Sequence, residues 1–498
     1  MKRYLVQTFG CQMNVHDSRR IEEVLARAGW EPTDEAALAS LVVFNTCSVR
    51  EKAEHKLLSV LGTMRGLKQA NPDLVIAVAG CVAQQEGERL LTRAPIIDVV
   101  IGPDNIPELP GLVAHAHDGG PPIARTVFDL DDPRFLEAIP ARAESPREVT
   151  SFVTVMKGCD ERCTFCIVPY TRGPERYRSA DAIVAEVRGM ADAGVREVTL
   201  LGQTVNSWFE PGTEESARES QFAELLSRIA REVPSLGRLR YTSPHPRHVT
   251  DALVRAHAEL DVLPAHVHLP VQSGSNRVLK RMLRRYTREH YVARARALQG
   301  ARTSSGNPAL TLSTDLIVGF PGETEEEFLE TLSLVREIGF VAAFAFKYSP
   351  RPHTPALKLG DDVTEEQKDE RLARLLEVVA EQQRAHLASL VGTRTDVLFE
   401  SPSQESKNDR PRDGEARWKG RSSRHEIVHC DVPEGVDLAG AILPVTIERA
   451  NAHSLVARVD VEVASLPRRA PKPVPPKSAA AATRMRLPVV GRAQGPAK

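Results

Sequence analysis

At 498 residues, with 42% hydrophobic and 26% charged residues, the chain is an ordinary globular mix that should divide into about three domains. No apolar run reaches the roughly 18 residues that would span a bilayer, and the basic start has too short an apolar run behind it for a signal peptide. A net charge of −1 gives no general affinity for polyanions, so any such site on the folded part has to be local.

Residues 1–116 alternate between strand-like and helical patterns. Strands are expected at 3–8, 41–45, 74–79 and 97–101, with helices at 17–28, 51–70 and 83–92 between them. Asp17 or Ser18 reads as the N-cap of the first helix. This alternation argues for an α/β fold with a doubly wound, mostly parallel sheet. Cys11, Cys47 and Cys81 follow the first three strands at intervals of 36 and 34 residues, about one βαβ unit each. Successive parallel strands end on one edge of a sheet, so three cysteines dispersed in sequence become candidates for one metal cluster; the alternative is three buried core thiols. Residues 117–149 gather Gly, Pro and acidic residues and read as a linker, with a short helix near 133–138.

The alternation resumes over 150–390. Strands are expected at 152–156, 197–201, 238–242, 266–271, 311–318 and 341–347, separated by helices at 180–193, 221–231, 248–258, 276–283, 288–298 and 325–338. Six such units suggest a partial (β/α)6 barrel, two strands short of a closed one. After its first strand stands Cys159-x3-Cys163-x2-Cys166. Three thiolates on one loop can hold three irons of a 4Fe–4S cube and leave the fourth iron open to a small molecule. A zinc knuckle is the alternative, though it would want a fourth ligand nearby. The loops Gly202–Asn206, Gln272–Asn276 and Gly319–Glu323 fall on the same strand ends, and Thr324-x-x-Glu327 reads as a capping box.

Residues 277–288 hold six basic and no acidic residues, among them Arg277, Lys280, Arg284 and Arg285, which read either as a solvated helix face or as a grip on phosphates. The same two readings apply to Arg172, Arg176 and Arg178. His245, His266 and His268 have no ligand spacing and are expected to pack or hydrogen-bond. A long amphipathic helix over 364–390 leads to short strands at 395–399, 416–420, 426–430, 441–450 and 454–463, the pattern of a small β-barrel over 391–464. In it Trp418, Lys419, Arg421 and Arg424 set an aromatic among bases, as RNA-binding surfaces do; a charged barrel surface is the alternative. Cys430 reads as a core residue. The tail from 465, rich in Pro, Ala and basic residues, is expected to be disordered. Seven cysteines, six of them at strand ends, do not make a disulfide framework, and a reduced, cytoplasmic setting is expected.

These motifs resemble those of the radical S-adenosylmethionine (SAM) methylthiotransferases. The likeness is carried by Thr8-Phe-Gly-Cys-Gln-Met-Asn14, Asn45-Thr-Cys-Ser-Val-Arg-Glu-Lys52, Gly80-Cys-Val-Ala-Gln-Gln85, the Cys159 loop, Val271-Gln-Ser-Gly-Ser-Asn276, Ser313-Thr-Asp-Leu-Ile-Val-Gly-Phe-Pro-Gly-Glu-Thr324 and Lys347-Tyr-Ser-Pro350, and covers about residues 3–463. Cys47-Ser-Val-Arg-Glu-Lys-Ala-Glu54 and Cys166-Ile-Val-Pro-Tyr-Thr-Arg-Gly173 resemble the branch that acts on N(6)-dimethylallyladenosine in tRNA. The sequence departs from the pattern at His16 and Arg20, where acidic or small residues are common, and at Asp315 and His353, where glycine is usual.

The resemblance implies two 4Fe–4S clusters. Cys159, Cys163 and Cys166 would hold the one that cleaves SAM, and Cys11, Cys47 and Cys81 an auxiliary one that carries the sulfur to be inserted. It assigns Phe165, Gly202, Gln203, Gln272, Ser273, Asp315 and Gly319 to SAM, names no acid–base catalytic side chain, and makes the terminal barrel a TRAM-like domain that grips tRNA. An electron donor such as a flavodoxin or ferredoxin, a sulfur source, and a monomeric enzyme with no membrane partner complete the expectation. Alternatives are a methylthiotransferase for threonylcarbamoyl-adenosine or for a ribosomal-protein aspartate, and a non-catalytic Fe–S protein that binds RNA.

Overall fold

The computed structural model of the chain describes residues 2–48, 51–128, 148–213, 221–302, 309–403 and 413–462, together with Leu130, Phe135, Pro411 and Leu466. The expected helix at 133–138 and the basic tail lie outside the described residues, apart from single positions.

The N-terminal part is a six-stranded, all-parallel sheet in the order Glu31–Pro32, Arg3–Phe9, Leu41–Thr46, Val75–Gly80, Val99–Ile101, Ile123–Arg125. Leu41–Thr46 and Val75–Gly80 are buried at every position, as strands covered on both faces must be. Period-two alternation sends Val42 and Phe44 to a core with Leu57, Leu61 and Met64 of helix Glu51–Ala70, and Leu41 and Val43 to one with Ile21 and Leu25 of helix Gln12–Arg27. The sheet is doubly wound, as its alternation predicts.

Two details differ from expectation. The first helix starts at Gln12 with Cys11 as its N-cap, so Asp17 and Ser18 lie inside it and are buried. The segment expected to be a linker contributes the strand Ile123–Arg125, which pairs with Val99–Ile101 at the sheet edge.

The central part holds the six expected strands in two parallel sheets of three. Arg238–Tyr241, Glu197–Leu201 and Thr150–Thr154 form one; His266–His268, Thr311–Val318 and Ala342–Lys347 form the other. One hydrophobic core runs through both. The fourth strand is three residues long where six were expected, because Pro270, which has no N–H to give a ladder, follows closely. The capping box at Thr324 and Glu327 forms, and a second, Thr364 with Gln367, starts the long helix Glu365–Ser389.

The last part is a closed five-stranded barrel in the order Arg394–Pro402, Glu415–Ser422, Ile427–Pro433, Leu455–Val459, Ile442–Ala450. It docks on the amino-terminal ends of the central strands. Arg238 donates to the carbonyls of Arg421 at 2.7 Å and Asp396 at 3.0 Å, Arg240 to that of Ser422 at 3.3 Å, and His266 stacks on His425 at 5.6 Å. The barrel carbonyls thus take the hydrogen bonds of the buried Arg238, while Arg240 is also paired with Glu197 on the neighbouring central strand at 2.9 Å.

The N-terminal sheet meets the central part through a buried ionic layer. Glu186 takes hydrogen bonds from both Arg20 and Arg178, and Arg20 also reaches Glu23 at 2.8 Å. Asp104 pairs with Arg176 and with Lys157, the latter at 3.2 Å, and Thr154 lies 3.2 Å from His16. Burial opposes the charge on Glu186, yet the two guanidiniums hold its carboxyl below the usual range. Glu186→Ala leaves two cations buried around one vacated carboxylate. The expected loss is about 3–5 kcal/mol, read as a lower denaturation midpoint with the secondary structure intact before unfolding. Among the described residues no helix is long and apolar enough to cross a membrane.

Candidate active site

The strand register brings the first cysteine triplet together. Phe9 lies beside Thr46, and Thr46 beside Gly80, so the chain leaves three neighbouring strands at one level. Cys47 and Cys81 follow at once, and Cys11 after one glycine. Strand order reverses between Arg3–Phe9 and Leu41–Thr46, and in such sheets the crevice at that reversal is where ligands bind. Two glycines allow the close approach. A Cβ on Gly10 would stand 2.5 Å from Cys47 Cβ, and one on Gly80, at φ +90°, 2.3 Å from Asn45 Oδ1. Behind the thiols Asn14 Nδ2 donates to Asn45 Oδ1 at 3.1 Å, and Cys11 Sγ donates to Asn14 Oδ1 at 3.3 Å.

The second triplet sits on a pinned loop. Cys159 N–H donates to Gly173 O at 3.1 Å, Thr164 N–H to Met282 O at 3.0 Å, and Cys166 N–H to Cys163 O at 3.1 Å. Gly158, at φ +79°, has Pro174 O only 1.8 Å from where a Cβ would be, so no other residue fits. Thr204 Oγ1 lies 3.1 Å from Cys159 Sγ, and Arg284 donates to Cys163 Sγ at 3.4 Å.

All seven cysteines are free thiols. The hydrogen bond with Cys47 outweighs burial and lowers Cys11 to about 6. Burial raises Cys159 and Cys166 to about 12 and pushes Cys81 up as well, against the pull of Arg172. Metal binding would displace those protons. A single zinc ion needs its sulfurs about 3.8 Å apart, from tetrahedral bonds of about 2.3 Å. Among the described residues only Glu161, His245 and His248 bring three ligand atoms within 4.8 Å of one another; neither cysteine triplet does. All-sulfur triplets, each with two buried thiols and one partly buried, and spread wider than that, fit a four-iron cube, which binds each thiolate through a different iron.

The two triplets are joined by a short link. Helix Val168–Arg172 follows Cys166 directly, and Arg172 Nε donates to Cys81 Sγ at 3.3 Å while its NH2 donates to Asp17 Oδ2 at 2.6 Å.

The residues assigned to SAM divide. Gln203 stands beside Thr204 with its Oε1 buried and unpartnered among the described residues. Asp315 is half-buried, 3.4 Å from His268 Nε2, and its carbonyl accepts from Gln272 N–H at 2.9 Å. Phe165 packs beside Met282 and Phe320. Gly202 makes room for Met156, whose Cγ would be 2.6 Å from an added Cβ. Ser273 and Gly319 serve the packing of their own loops. Ser273 Oγ is fully buried and accepts from Ser275 N–H inside its own turn at 3.2 Å. Gly319 faces the long helix, with Lys368 Cγ 2.3 Å from an added Cβ.

Of the residues assigned to RNA, Trp418 and Arg284 lie inside the protein. Trp418 is 5% exposed in the barrel core with Val428 and Cys430, so no base can stack on it. Arg284 is buried on Cys163, Tyr286 and the carbonyl of Pro270. Arg277 is paired with Glu327 at 2.5 Å, Arg421 is paired with Glu400 at 3.3 Å, and Arg424 is half-buried. Lys280 and Arg285 are exposed and Lys419 is partly so. The sequence reading set His245 aside, yet it meets Glu161 of the cysteine loop and His248. Arg247, Arg284 and Arg285 surround that group and make it a poor cation site.

Residues 153–335 match the radical SAM superfamily, and residues 3–102 match the uncharacterized protein family UPF0004. Two structures of the radical SAM methyltransferase TsrM from Kitasatospora setae share the fold. One, with tryptophan substrate and a SAM analog bound, is 14% identical with a TM-score of 0.51 over 82% of this chain and 79% of that one. The other, with cobalamin and a 4Fe–4S cluster, is 16% identical with a TM-score of 0.50 over 72% and 77%. Fold and cysteine loop together define a radical SAM enzyme. The tRNA-2-methylthio-N(6)-dimethylallyladenosine synthase of Sorangium cellulosum (strain So ce56) is 60% identical over 472 residues, 92% of this chain and 93% of that protein. The chain belongs to the family of tRNA-2-methylthio-N(6)-dimethylallyladenosine synthases.

Proposed function

We infer that this chain is a tRNA methylthiotransferase that replaces the C2 hydrogen of N(6)-dimethylallyladenosine, beside the anticodon, with a methylthio group. The observation that carries the reading is the pair of largely buried cysteine triplets linked through Arg172. Cys159, Cys163 and Cys166 would hold one 4Fe–4S cluster, and Cys11, Cys47 and Cys81 a second. When bound, these clusters supply the electron that cleaves SAM and the sulfur that is inserted, while SAM supplies the hydrogen-abstracting radical and the methyl group. The chain's own residues bind, orient and exclude water. Thr204 and Arg284 fix two of the loop thiols, Gln203 offers a buried carbonyl to a ligand, and the apolar floor of Phe165, Met282 and Phe320 keeps the radical from water. We divide the work among residues 1–116, 150–390 and 391–464: sulfur-carrying, SAM-cleaving and tRNA-gripping. The enzyme acts as a cytoplasmic monomer, fed by a flavodoxin- or ferredoxin-like reductant and a sulfur source.

The test is anaerobic reconstitution followed by reaction with tRNA bearing dimethylallyladenosine, threonylcarbamoyl-adenosine or unmodified adenosine. Methylthio product on the first alone is expected; product only on the second would overturn the substrate, and no SAM cleavage with any would overturn the enzyme.

Removing the terminal barrel would strand Arg238, whose guanidinium donates to barrel carbonyls, so charge reversal probes tRNA binding more cleanly. Lys280→Glu with Arg285→Glu is expected to weaken tRNA binding about tenfold and to lower the slope of log affinity against log salt by about 2. An unchanged slope would return both residues to a solvated surface.

A further inference from the structure

We propose that Arg172 is a positioning residue that ties the two cysteine sites together and raises the reduction potential of the cluster held by Cys11, Cys47 and Cys81. The proposal rests on the two-cluster reading above.

Three observations converge on this side chain. It is 4% exposed, and its guanidinium divides between Cys81 Sγ at 3.3 Å and Asp17 Oδ2 at 2.6 Å. Its own carbonyl accepts from Arg176 NH2 at 2.9 Å, and the next carbonyl, Gly173 O, accepts from Cys159 N–H at 3.1 Å. Two adjacent residues therefore hold both sites. Gly173 closes the base of the loop that carries Cys159, Cys163 and Cys166, and Arg172 reaches across to Cys81. From Cys166 to Arg172 is six residues, including the single helical turn Val168–Arg172, a rise of about 9 Å at about 1.5 Å per residue. Chain this short and this pinned leaves little freedom in the spacing of the two sites. Spacing matters for a reaction in which a radical made at one site must open a carbon for sulfur waiting at the other.

The same contact has an electronic effect. A hydrogen bond from a cation to a ligand sulfur stabilises the more negative, reduced state of a cluster, so the potential rises. Lysine cannot replace it, because one ammonium has no planar fork to meet a sulfur and a carboxylate in two fixed directions. Arg284 makes the corresponding contact to Cys163 at 3.4 Å, so the other site serves as an internal reference.

The experiment uses the full chain, reconstituted anaerobically, as wild type, Arg172→Lys and Arg172→Gln. Iron per chain is measured first, then both midpoint potentials by EPR-monitored titration, then SAM cleaved per methylthio product. With about eight irons present, the N-terminal midpoint is expected to fall in Arg172→Lys and further in Arg172→Gln, the other midpoint to stay, and SAM cleaved per product to rise about tenfold. If Arg172→Gln fails to take up iron, Arg172→Lys, which keeps the charge, decides the matter. Eight irons with unmoved potentials and unchanged coupling would overturn the role of Arg172 alone. About four irons in the wild type would overturn the two-cluster reading and this role with it.

Discussion

Replacing Cys163 with alanine is expected to abolish SAM cleavage while iron at the N-terminal triplet stays. The loop offers three sulfurs and no fourth ligand, so losing one leaves two, too few to hold a cube with an open iron. The loop itself should survive the change. Its shape is set by backbone bonds of Cys159 to Gly173, Thr164 to Met282 and Cys166 to Cys163, none of which needs the Cys163 sulfur. Arg284 loses a thiolate partner but keeps Tyr286 at 3.0 Å and the carbonyl of Pro270 at 3.1 Å, so its buried charge is not stranded. Iron should fall from about eight to about four per chain, and deoxyadenosine formation to background. Retained cleavage would show that the radical chemistry starts elsewhere.

Much of the fold could be read directly, because two patterns carry it. Strands 197–201 and 311–318 match the observed Glu197–Leu201 and Thr311–Val318, since each is an apolar or β-branched run bounded by polar residues. The cysteine positions follow two local patterns: Cys11, Cys47 and Cys81 come just after three parallel strands, and Cys159, Cys163 and Cys166 share one loop. What escaped the reading depended on partners far away in sequence. Asp17 has the residue type of an N-cap, but it lies inside a helix that starts at Gln12, where it pairs with Arg172 across 155 positions. Arg284 is one of six bases in a run, and nothing local marks it as the one that turns inward to Cys163. Trp418 is different, because its place was there to be read. Trp418, Gly420 and Ser422 alternate as the buried face of Glu415–Ser422, and period two alone puts the indole inside. His353 is a further case. It stands where the family usually has glycine and takes φ +65°, a conformation glycine adopts without strain.

Replacing Cys47 with alanine tests the other half of the site. SAM cleavage is expected to persist, while methylthio product is lost along with about half of the iron. Cys47 is 1% exposed, and its N–H donates to Phe9 O at 2.9 Å, a bond that alanine keeps. Alanine also keeps the Cβ that packs against Gly10, so the crossing of the two strand ends should hold. What goes is the sulfur, and with it the hydrogen bond that does most to favour the Cys11 thiolate. Cys11 and Cys81 alone would be too few to hold the cluster. The loop of Cys159, Cys163 and Cys166 lies beyond Arg172, whose contacts to Asp17 and Cys81 do not involve Cys47. Cleavage and sulfur insertion should therefore separate in this variant, measured as deoxyadenosine against methylthio nucleoside from the same reaction. Normal product would remove Cys47 from the sulfur-carrying site. Loss of both activities with full iron retained would mean that the two sites fire only together, and that their coupling runs through the sheet edge itself.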